Sequence, residues 1–224
     1  MLDITVPEAI KNRFSCRSFL DKPVPEDVLN RLLETALRSP SGANIQASHI
    51  HVVTGENKQQ LQAATKQCFL ESFTGDGYDF RVYPEKMSAG TKQRRDDCGE
   101  RLYSKLEIPR DNRAARMVQT AKNADFFNAP VGLIITIDAC AAEAQLIDCG
   151  ILLQSIMLLA EDEGLNSCPQ GFWTMFPNTI RTVLGIKDEL VVVGAAIGYQ
   201  DEDAIVNTVR QPRLALDEAV TFHQ

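Results

Sequence analysis

The segment from 131 to 138 constrains the fold most strongly, because it is a nearly continuous apolar run. It reads Val-Gly-Leu-Ile-Ile-Thr-Ile-Asp, and its only charged residue is the last one. Short strands that are apolar on both faces are typical of the buried centre of a sheet. We therefore predict that this segment forms a central strand.

Hydrophobic periodicity predicts further elements on both sides of this strand. We expect two more strands, at 49–54 and 190–198, and helices at 7–13, 25–38, 57–70, about 93–106, about 112–123, 142–163 and 178–184. The 142–163 helix is apolar on more than one face, which predicts that it is buried, either in the core or in a subunit interface. Because the strands and helices do not alternate regularly, the pattern favours an α+β fold over a doubly wound one.

The chain reads as a single domain over 1–224, with a helical excursion at about 72–128. That excursion is charged and carries several aromatic residues. Long excursions in compact domains are often lids or substrate loops. The other interpretation is a surface that packs on a partner subunit, and the sequence leaves both open.

Charge and cysteine usage exclude several classes of function. The net charge of -7 argues against nucleic acid as a partner. No apolar run reaches the length of a membrane span, and the first residues do not resemble a signal peptide, so we expect a cytoplasmic protein. The six cysteines show no Cys-x-x-Cys spacing and no nearby histidine, which predicts reduced thiols and no metal site.

A compact set of anion-binding residues lies at 13–17, Arg-Phe-Ser-Cys-Arg. In an extended backbone, side chains two residues apart share a face. Arg13, Ser15 and Arg17 can therefore point in the same direction. Two guanidinium groups and a hydroxyl suit a phosphate monoester.

The segment 40–46, Pro-Ser-Gly-Ala-Asn-Ile-Gln, is a turn that carries two side-chain amides. Asn44 and Gln46 each offer a donor and an acceptor, which suits the edge of a flat ring that also does both. A phosphate at one end and such an edge at the other describe flavin mononucleotide (FMN). Neither segment is specific alone, since arginines are often solvated and Asn and Gln are common in turns.

The usual catalytic signatures are absent from the sequence. It has no Gly-x-Ser-x-Gly, no His-Glu-x-x-His and no P-loop, and Gly75-Asp-Gly77 lacks the third glycine and preceding strand of a dinucleotide fingerprint. An enzyme without an evident acid, base or nucleophile is expected where a cofactor carries the chemistry.

In the order and spacing of its segments the chain resembles the nitroreductase family of flavin enzymes. The shared segments are Arg13 to Arg17, Val24-Pro25, Ala36 to Gln46, the strand from Ile50 to Thr54, Ala196-Ile-Gly-Tyr199 and Arg210-Gln-Pro-Arg213. One departure lies after the amide turn, where Ala47-Ser48 stands in place of the family's usual Pro-Trp.

The resemblance implies a nitroreductase-like central mixed sheet flanked by helices, in an intertwined homodimer with one FMN per active site at the subunit interface. It implies that Arg13, Ser15 and Arg17 hold the phosphate and ribityl region, and that Arg213 and Arg210 complete the phosphate site. Asn44 would face the isoalloxazine edge with Ser41 and Gln46 beside it. The turn of Pro169, Gln170 and Gly171 would offer a backbone N–H to the ring, and no protein residue would be catalytic.

The activity implied is that of an FMN-dependent oxidoreductase that takes hydride from NAD(P)H and reduces nitroaromatic compounds, and quinones as a further class, by a ping-pong scheme. Two alternatives use the same fold. One is a reductive dehalogenase of a halophenol, in which Tyr78, Tyr83, Glu85 and Lys86 would fix the substrate. The other is an FMN-binding protein without turnover. A further hypothesis is a structural dimer that binds no flavin.

Phe172 and Trp173 are candidates for the substrate pocket or the core.

Overall fold

The computed structural model describes residues 2–223, in which four strands form one sheet. The strands are β1 (Ser48–Val53), β2 (Val131–Asp138), β3 (Asn166–Gln170) and β4 (Glu189–Gly198), in the order β1-β2-β4-β3. The three predicted strands are confirmed to within one residue at each end. β3 was not predicted, because its sequence is mostly polar and contains Pro169, which is compatible only with an edge position such as the one it occupies.

Eight α-helices within residues 2–223 surround the sheet. They are α1 (Val6–Asn12), α2 (Glu26–Ala36), α3 (Gly55–Glu71), α4 (Ala89–Lys105), α5 (Arg113–Ala121), α6 (Gln145–Asp162), α7 (Pro177–Leu184) and α8 (Leu216–Ala219). The first seven confirm the predicted helices with small shifts at their ends. α8 is a single turn in the C-terminal stretch.

The α+β class is confirmed, but the sheet within one chain is antiparallel and not mixed as predicted. All three strand pairs are antiparallel. In the described part of the chain, parallel pairing is limited to an isolated bridge between Ser15 and Ser167. The segment that contains Ser15 therefore runs along the free edge of β3, without forming a full strand.

Both faces of the sheet are covered. Leu133, Ile135 and Ile137 of β2 face α2 and α6, while Ile134 faces the opposite layer. That opposite layer is rich in aromatic residues from several segments, namely Phe14, Phe19, Phe69, Phe126, Phe172, Trp173 and Phe176. This two-sided burial explains why β2 has no polar face.

α6 is buried on one side only. Cys149, Leu152 and Ile156 pack in the core, whereas Ile147 and Ile151 are 68% and 37% exposed. The prediction of a buried helix is therefore confirmed for the inner face, while the outer face is exposed within one chain. An exposed apolar stripe of this kind is a candidate protein interface.

No helix formed by residues 2–223 is long and apolar enough to cross a membrane.

Candidate functional site

A cavity of about 770 Å³ opens between the sheet edge and the 72–128 excursion. Its floor comes from the end of β3 and the turn that follows, and its outer wall comes from the excursion. The lining residues are Arg17, Tyr78, Arg81, Val82, Tyr83, Leu102, Thr120, Asn123, Cys168, Pro169, Gln170, Gly171, Phe172 and Met175. Its size and its mixture of aromatic and polar groups suit a flat organic ligand.

The segment from Arg13 to Arg17 alternates as predicted. Phe14 and Cys16 are buried, while Arg13, Ser15 and Arg17 lie half-exposed on the other side. The backbone N–H of Cys16 donates to the Ser167 carbonyl at 3.0 Å, which fixes the segment along β3. The two guanidinium groups and the Ser15 hydroxyl thus share a face beside the start of β3.

The C-terminal segment adds a third cation to this cluster. The Arg210 guanidinium stacks 3.7 Å above the Phe14 ring and donates to the Asn207 carbonyl at 2.6 Å. The buried Asn207 side chain accepts a hydrogen bond from the Arg17 backbone N–H at 2.8 Å and donates to the Ser18 carbonyl at 2.7 Å. Asn207 therefore joins the C-terminal segment to the arginine segment.

Arg213 is placed differently from Arg210. It is exposed, and its guanidinium donates to the neighbouring carbonyls of Gln211 and Pro212. The Gln211 side chain in turn donates to the Cys98 carbonyl of α4 at 3.2 Å. This part of the C-terminal segment thus contacts the excursion.

A buried carboxyl group lies behind the arginines. Glu161 of α6 is 9% exposed, and its Oε1 has no hydrogen-bond partner among the described residues. Burial raises the pKa of this carboxyl group, while the charge of Arg13, a hydrogen bond with Asn166 and the charge of Arg210 oppose the rise. At any pH at which it is ionised, Glu161 adds a negative charge that partly compensates the positive charges of Arg13 and Arg210.

Two thiols beside the cluster are kept protonated. Burial raises the pKa of Cys16 to about 12 and that of Cys168 to about 11. Since the thiolate is the reactive form, neither group is poised as a nucleophile at neutral pH. All six cysteines are free thiols, as expected from their spacing.

The segment of Pro169, Gln170 and Gly171 ends β3 and enters a 3₁₀ turn, Gly171–Met175. Gln170 is buried, where its side chain donates to the Asn123 carbonyl at 2.9 Å and accepts from Trp173 Nε1 at 3.1 Å. The Gln170 side chain therefore already has hydrogen-bond partners inside the protein. The polar groups that this segment offers to a ligand are those of its backbone. A Cβ at Gly171 would lie 3.1 Å from Val82, so the missing side chain allows the excursion to come close.

Trp173 holds this turn against the sheet. It is fully buried and stacks on Phe126 at 4.4 Å between ring centroids. Its ring lies directly on Gly194 of β4, where an added Cβ would lie 2.0 Å from it. Trp173 is therefore a core residue, while Phe172 packs in the same cluster and also lines the cavity.

The amide turn at 41–46 is exposed and strained. Ala43, Asn44 and Gln46 all have positive φ, which is uncommon for residues other than glycine. The Ser41 hydroxyl accepts the Gln46 N–H at 3.0 Å, and the Gln46 side chain donates to the Asn44 carbonyl at 3.2 Å. Strained backbone of this kind clusters at functional sites, which supports the interpretation of this turn as part of a ligand site.

Within one chain the amide turn does not meet the arginine cluster. The turn precedes β1, whereas the arginines lie along β3, and these strands are opposite edges of the sheet. Three inter-strand spacings separate them by about 14 Å. The two segments also approach opposite ends of the sheet, since Ser48 pairs with Ile137 while Ser167 is level with Ile197 and Val131.

The excursion is anchored at its start by two aspartates. The Asp76 carboxylate accepts hydrogen bonds from the backbone N–H groups of Asn178 at 3.2 Å and Thr179 at 2.6 Å, at the start of α7. The Asp79 carboxylate accepts the Val191 N–H at 2.7 Å and pairs with Arg181. These contacts fix the chain just before the cavity-lining residues Arg81, Val82 and Tyr83.

Sequence reasoning missed several residues of this region. Thr120 and Asn123 line the cavity from the end of α5 and the following turn. Asn207 and Glu161 lie behind the arginines. Each is an ordinary polar residue in its local sequence, and no pattern distinguishes it without the tertiary structure. No group of three or more His, Cys, Asp or Glu residues within 2–223 could hold a metal ion.

The donor set fits a phosphorylated flavin. Arg13 and Arg17 lie on the same side of their segment as the Ser15 hydroxyl, and Arg210 stacks on the neighbouring Phe14. These side chains supply the charge-assisted donors that a phosphate requires. The adjacent cavity offers backbone at Pro169 and Gly171 and an aromatic wall. The residues present therefore accommodate a phosphate at one end and a flat ring system at the other.

Comparison with known proteins gives a consistent result. The family model described as the Nitroreductase family matches residues 10–199. The chain is 34% identical to the 4-nitrobenzoate reductase of Pseudomonas putida, over 91% of this chain and 89% of the relative. It is 32% identical to the chloronitrobenzene nitroreductase of Comamonas testosteroni, over 97% and 96%. The crystal structure of the FMN and NADPH-dependent nitroreductase NfnB from sphigopyxis sp. strain HMH superposes with a TM-score of 0.96 at 38% identity, over 99% and 100%. The chain belongs to the nitroreductase family.

Proposed function

We propose that this member of the nitroreductase family is an FMN-dependent oxidoreductase that takes hydride from NAD(P)H and reduces nitroaromatic compounds. The observation that carries the proposal is the cluster of three arginines beside a cavity whose floor is the backbone of Gly171. The similar proteins support it, since their names include nitroreductases that depend on FMN and NADPH.

The arginine cluster is proposed to bind the FMN phosphate. Arg13, Ser15 and Arg17 would contact it from one segment and Arg210 from another. Arg213 is proposed to join them when the exposed C-terminal segment is ordered against a partner. Bidentate guanidinium contacts would also fix the direction in which the flavin enters the cavity.

Bound FMN would accept hydride at its N5 and pass reducing equivalents to the acceptor. The protein would orient the ring through the backbone at Pro169 and Gly171, whose position is fixed by the buried side chain of Gln170. The excursion would exclude water from the cavity. Because one cavity would serve both the nicotinamide and the acceptor, they would bind in turn, as a ping-pong scheme requires.

A second copy of the chain is proposed to complete each active site. Ser41, Asn44 and Gln46 lie at the sheet edge opposite the arginine cluster, so they would reach the flavin edge from the partner subunit. Apolar groups exposed on α6 and in the C-terminal segment, including Ile147, Leu216 and Phe222, give such a homodimer surface to bury.

We place the protein in the cytoplasm. Its six free thiols support a reducing compartment.

The experiment that tests this function is NAD(P)H oxidation by the FMN-loaded protein with and without an added nitroarene. We expect slow oxidation of the nucleotide alone and a large acceleration by the nitroarene, together with loss of the nitro absorbance. An FMN-loaded protein that oxidises neither NADH nor NADPH under both conditions would contradict the proposal and favour a binding protein without turnover.

A further inference from the structure

The outer wall of the cavity carries one cation that the flavin site does not use. Arg81 lines the cavity from the excursion, close to Tyr78 and Tyr83. No Asp or Glu side chain is among the cavity-lining residues in the part of the chain that the structure describes. The wall that faces the flavin position is therefore aromatic and positively charged.

The position of Arg81 is fixed by the chain on both sides of it. Asp79, two residues earlier, accepts the Val191 N–H of β4. Val82, the next residue, lies against Gly171 on the cavity floor. Arg81 is thus held at the mouth of the cavity, although the surrounding segment has no regular secondary structure.

Arg81 pairs with Glu85, but this pair is weak. The two side chains are 65% and 71% exposed. Exposed pairs of this kind contribute little, because water and salt screen them and ordering costs entropy. An incoming anion that is partly removed from water can therefore replace Glu85 as the partner of Arg81.

We propose that Arg81 selects aromatic acceptors that carry an anionic group, of which an aryl carboxylate is the representative class. The ring would lie between the flavin and the tyrosine wall, and the carboxylate would accept hydrogen bonds from the Arg81 guanidinium at the mouth. This inference rests on the proposed function, and it adds a charge preference that the reaction itself does not require.

The test compares two acceptors that are matched in size and differ in charge, 4-nitrobenzoate and 4-nitrobenzamide. The kcat/KM of each is measured for the FMN-loaded wild type and for Arg81→Ala and Arg81→Gln. We expect both variants to lose about tenfold or more in kcat/KM for the carboxylate and about twofold or less for the amide, the size of a lost charge-assisted contact. Lys92→Ala removes an exposed cation from the same excursion outside the cavity, and it should leave both values unchanged.

Two further measurements separate the alternatives. Glu85→Gln frees Arg81 from its counter-ion and should increase the preference for the carboxylate. Rapid-reaction measurement of flavin reduction by NADPH distinguishes a carboxylate site from a site for the nucleotide phosphates, because Arg81→Ala should lower that rate less than it lowers kcat/KM for 4-nitrobenzoate.

Several results would overturn the inference. Equal decreases in kcat/KM for both acceptors, or no decrease for either, would show that Arg81 does not distinguish acceptors by their charge. Loss of flavin reduction by NADPH with acceptor reduction intact would assign Arg81 to the nucleotide. A wild type that reduces neither acceptor would instead contradict the proposed function itself.

Discussion

Arg17 connects the two parts of the candidate site, because it belongs to the arginine cluster and also lines the cavity. Its backbone is fixed by Asn207 and its side chain donates to the Ser15 carbonyl at 3.3 Å. The guanidinium is thus already oriented, and little side-chain freedom remains to be lost when an anion binds.

Replacing Arg17 by alanine should weaken FMN binding by about 1.5–3 kcal/mol, the usual contribution of hydrogen bonds to charged groups. Riboflavin, which lacks the phosphate, should bind the variant and the wild type about equally. Fluorescence titration with both ligands measures this difference. Arg113→Ala removes an exposed arginine from α5 and serves as the control; equal losses for FMN and riboflavin would remove Arg17 from the phosphate site.

Glu161 makes stability depend on pH. Its pKa is raised in the folded protein, chiefly by burial, so the folded chain binds its proton more tightly than the unfolded chain does. Its contribution to stability is therefore present at low pH and is lost as the pH rises through the folded-state pKa. Above the folded-state pKa, ionised Glu161 destabilises the fold relative to a neutral side chain of the same shape.

Glu161→Gln should accordingly raise the Tm above that of the wild type, and the increase should be larger at about pH 8 than at about pH 4. Thermal unfolding at both pH values tests this. Glu34→Gln, on the exposed face of α2, is the matched control. A lower Tm for Glu161→Gln at pH 8 would show that ion pairing with the arginines outweighs burial.

At the scale of elements, the start of the excursion is attached to α7. Asp76 accepts the first N–H groups of that helix and the Thr179 hydroxyl at 2.6 Å, so one carboxylate both caps α7 and fixes the loop. Beyond Asp79 the chain runs without regular structure until α4 begins at Ala89. The position of the cavity wall thus depends on the aspartate contacts.

Asp76→Ala should destabilise the protein by about 1–2 kcal/mol, the usual cost of a lost helix cap, and should release the loop. Trypsin should then cleave after Arg81 faster than in the wild type, which mass spectrometry of the fragments can measure. Asp111→Ala, an exposed aspartate in the same excursion, controls for the loss of charge. An unchanged cleavage rate would mean that the loop is held by other contacts.

The local geometry of the arginine segment was predictable, because alternation in extended chain depends only on residues two apart. The strand at 131–138 was predictable for a similar reason, since a run without a polar face fits few environments. β3 was not predictable, because a polar edge strand that contains proline has no local signature. Two further features depend on tertiary contacts and cannot be predicted from residue spacing. One is the left-handed backbone at Ala43 and Asn44, and the other is the buried hydrogen bonding of the Gln170 side chain.

At the scale of the whole molecule, the candidate site is divided across the sheet. The resemblance to a known family named both groups of site residues, and the structure shows that one chain keeps them at opposite edges. Under the proposed function, a second subunit would bring Asn44 near the ring that Arg17 would anchor. Neither local sequence patterns nor contacts within one chain place Asn44 near Arg17.

If each FMN contacts two subunits, FMN binding and dimer formation must be thermodynamically linked. FMN should lower the dissociation constant of the dimer and slow the exchange of fluorescently labelled subunits. Arg17→Glu should abolish that effect while the dimer itself persists. If saturating FMN does not change the rate of subunit exchange, the FMN site is contained within one chain.

Anaerobic absorbance spectroscopy of the FMN-loaded protein tests whether this chain uses FMN to transfer reducing equivalents from NAD(P)H to a nitroarene. We expect NADPH or NADH to bleach the flavin bands and a nitroarene added afterwards to restore them, so that each half-reaction is observed separately. Flavin bands that neither nucleotide bleaches, or a protein that takes up no FMN, would contradict this use of FMN.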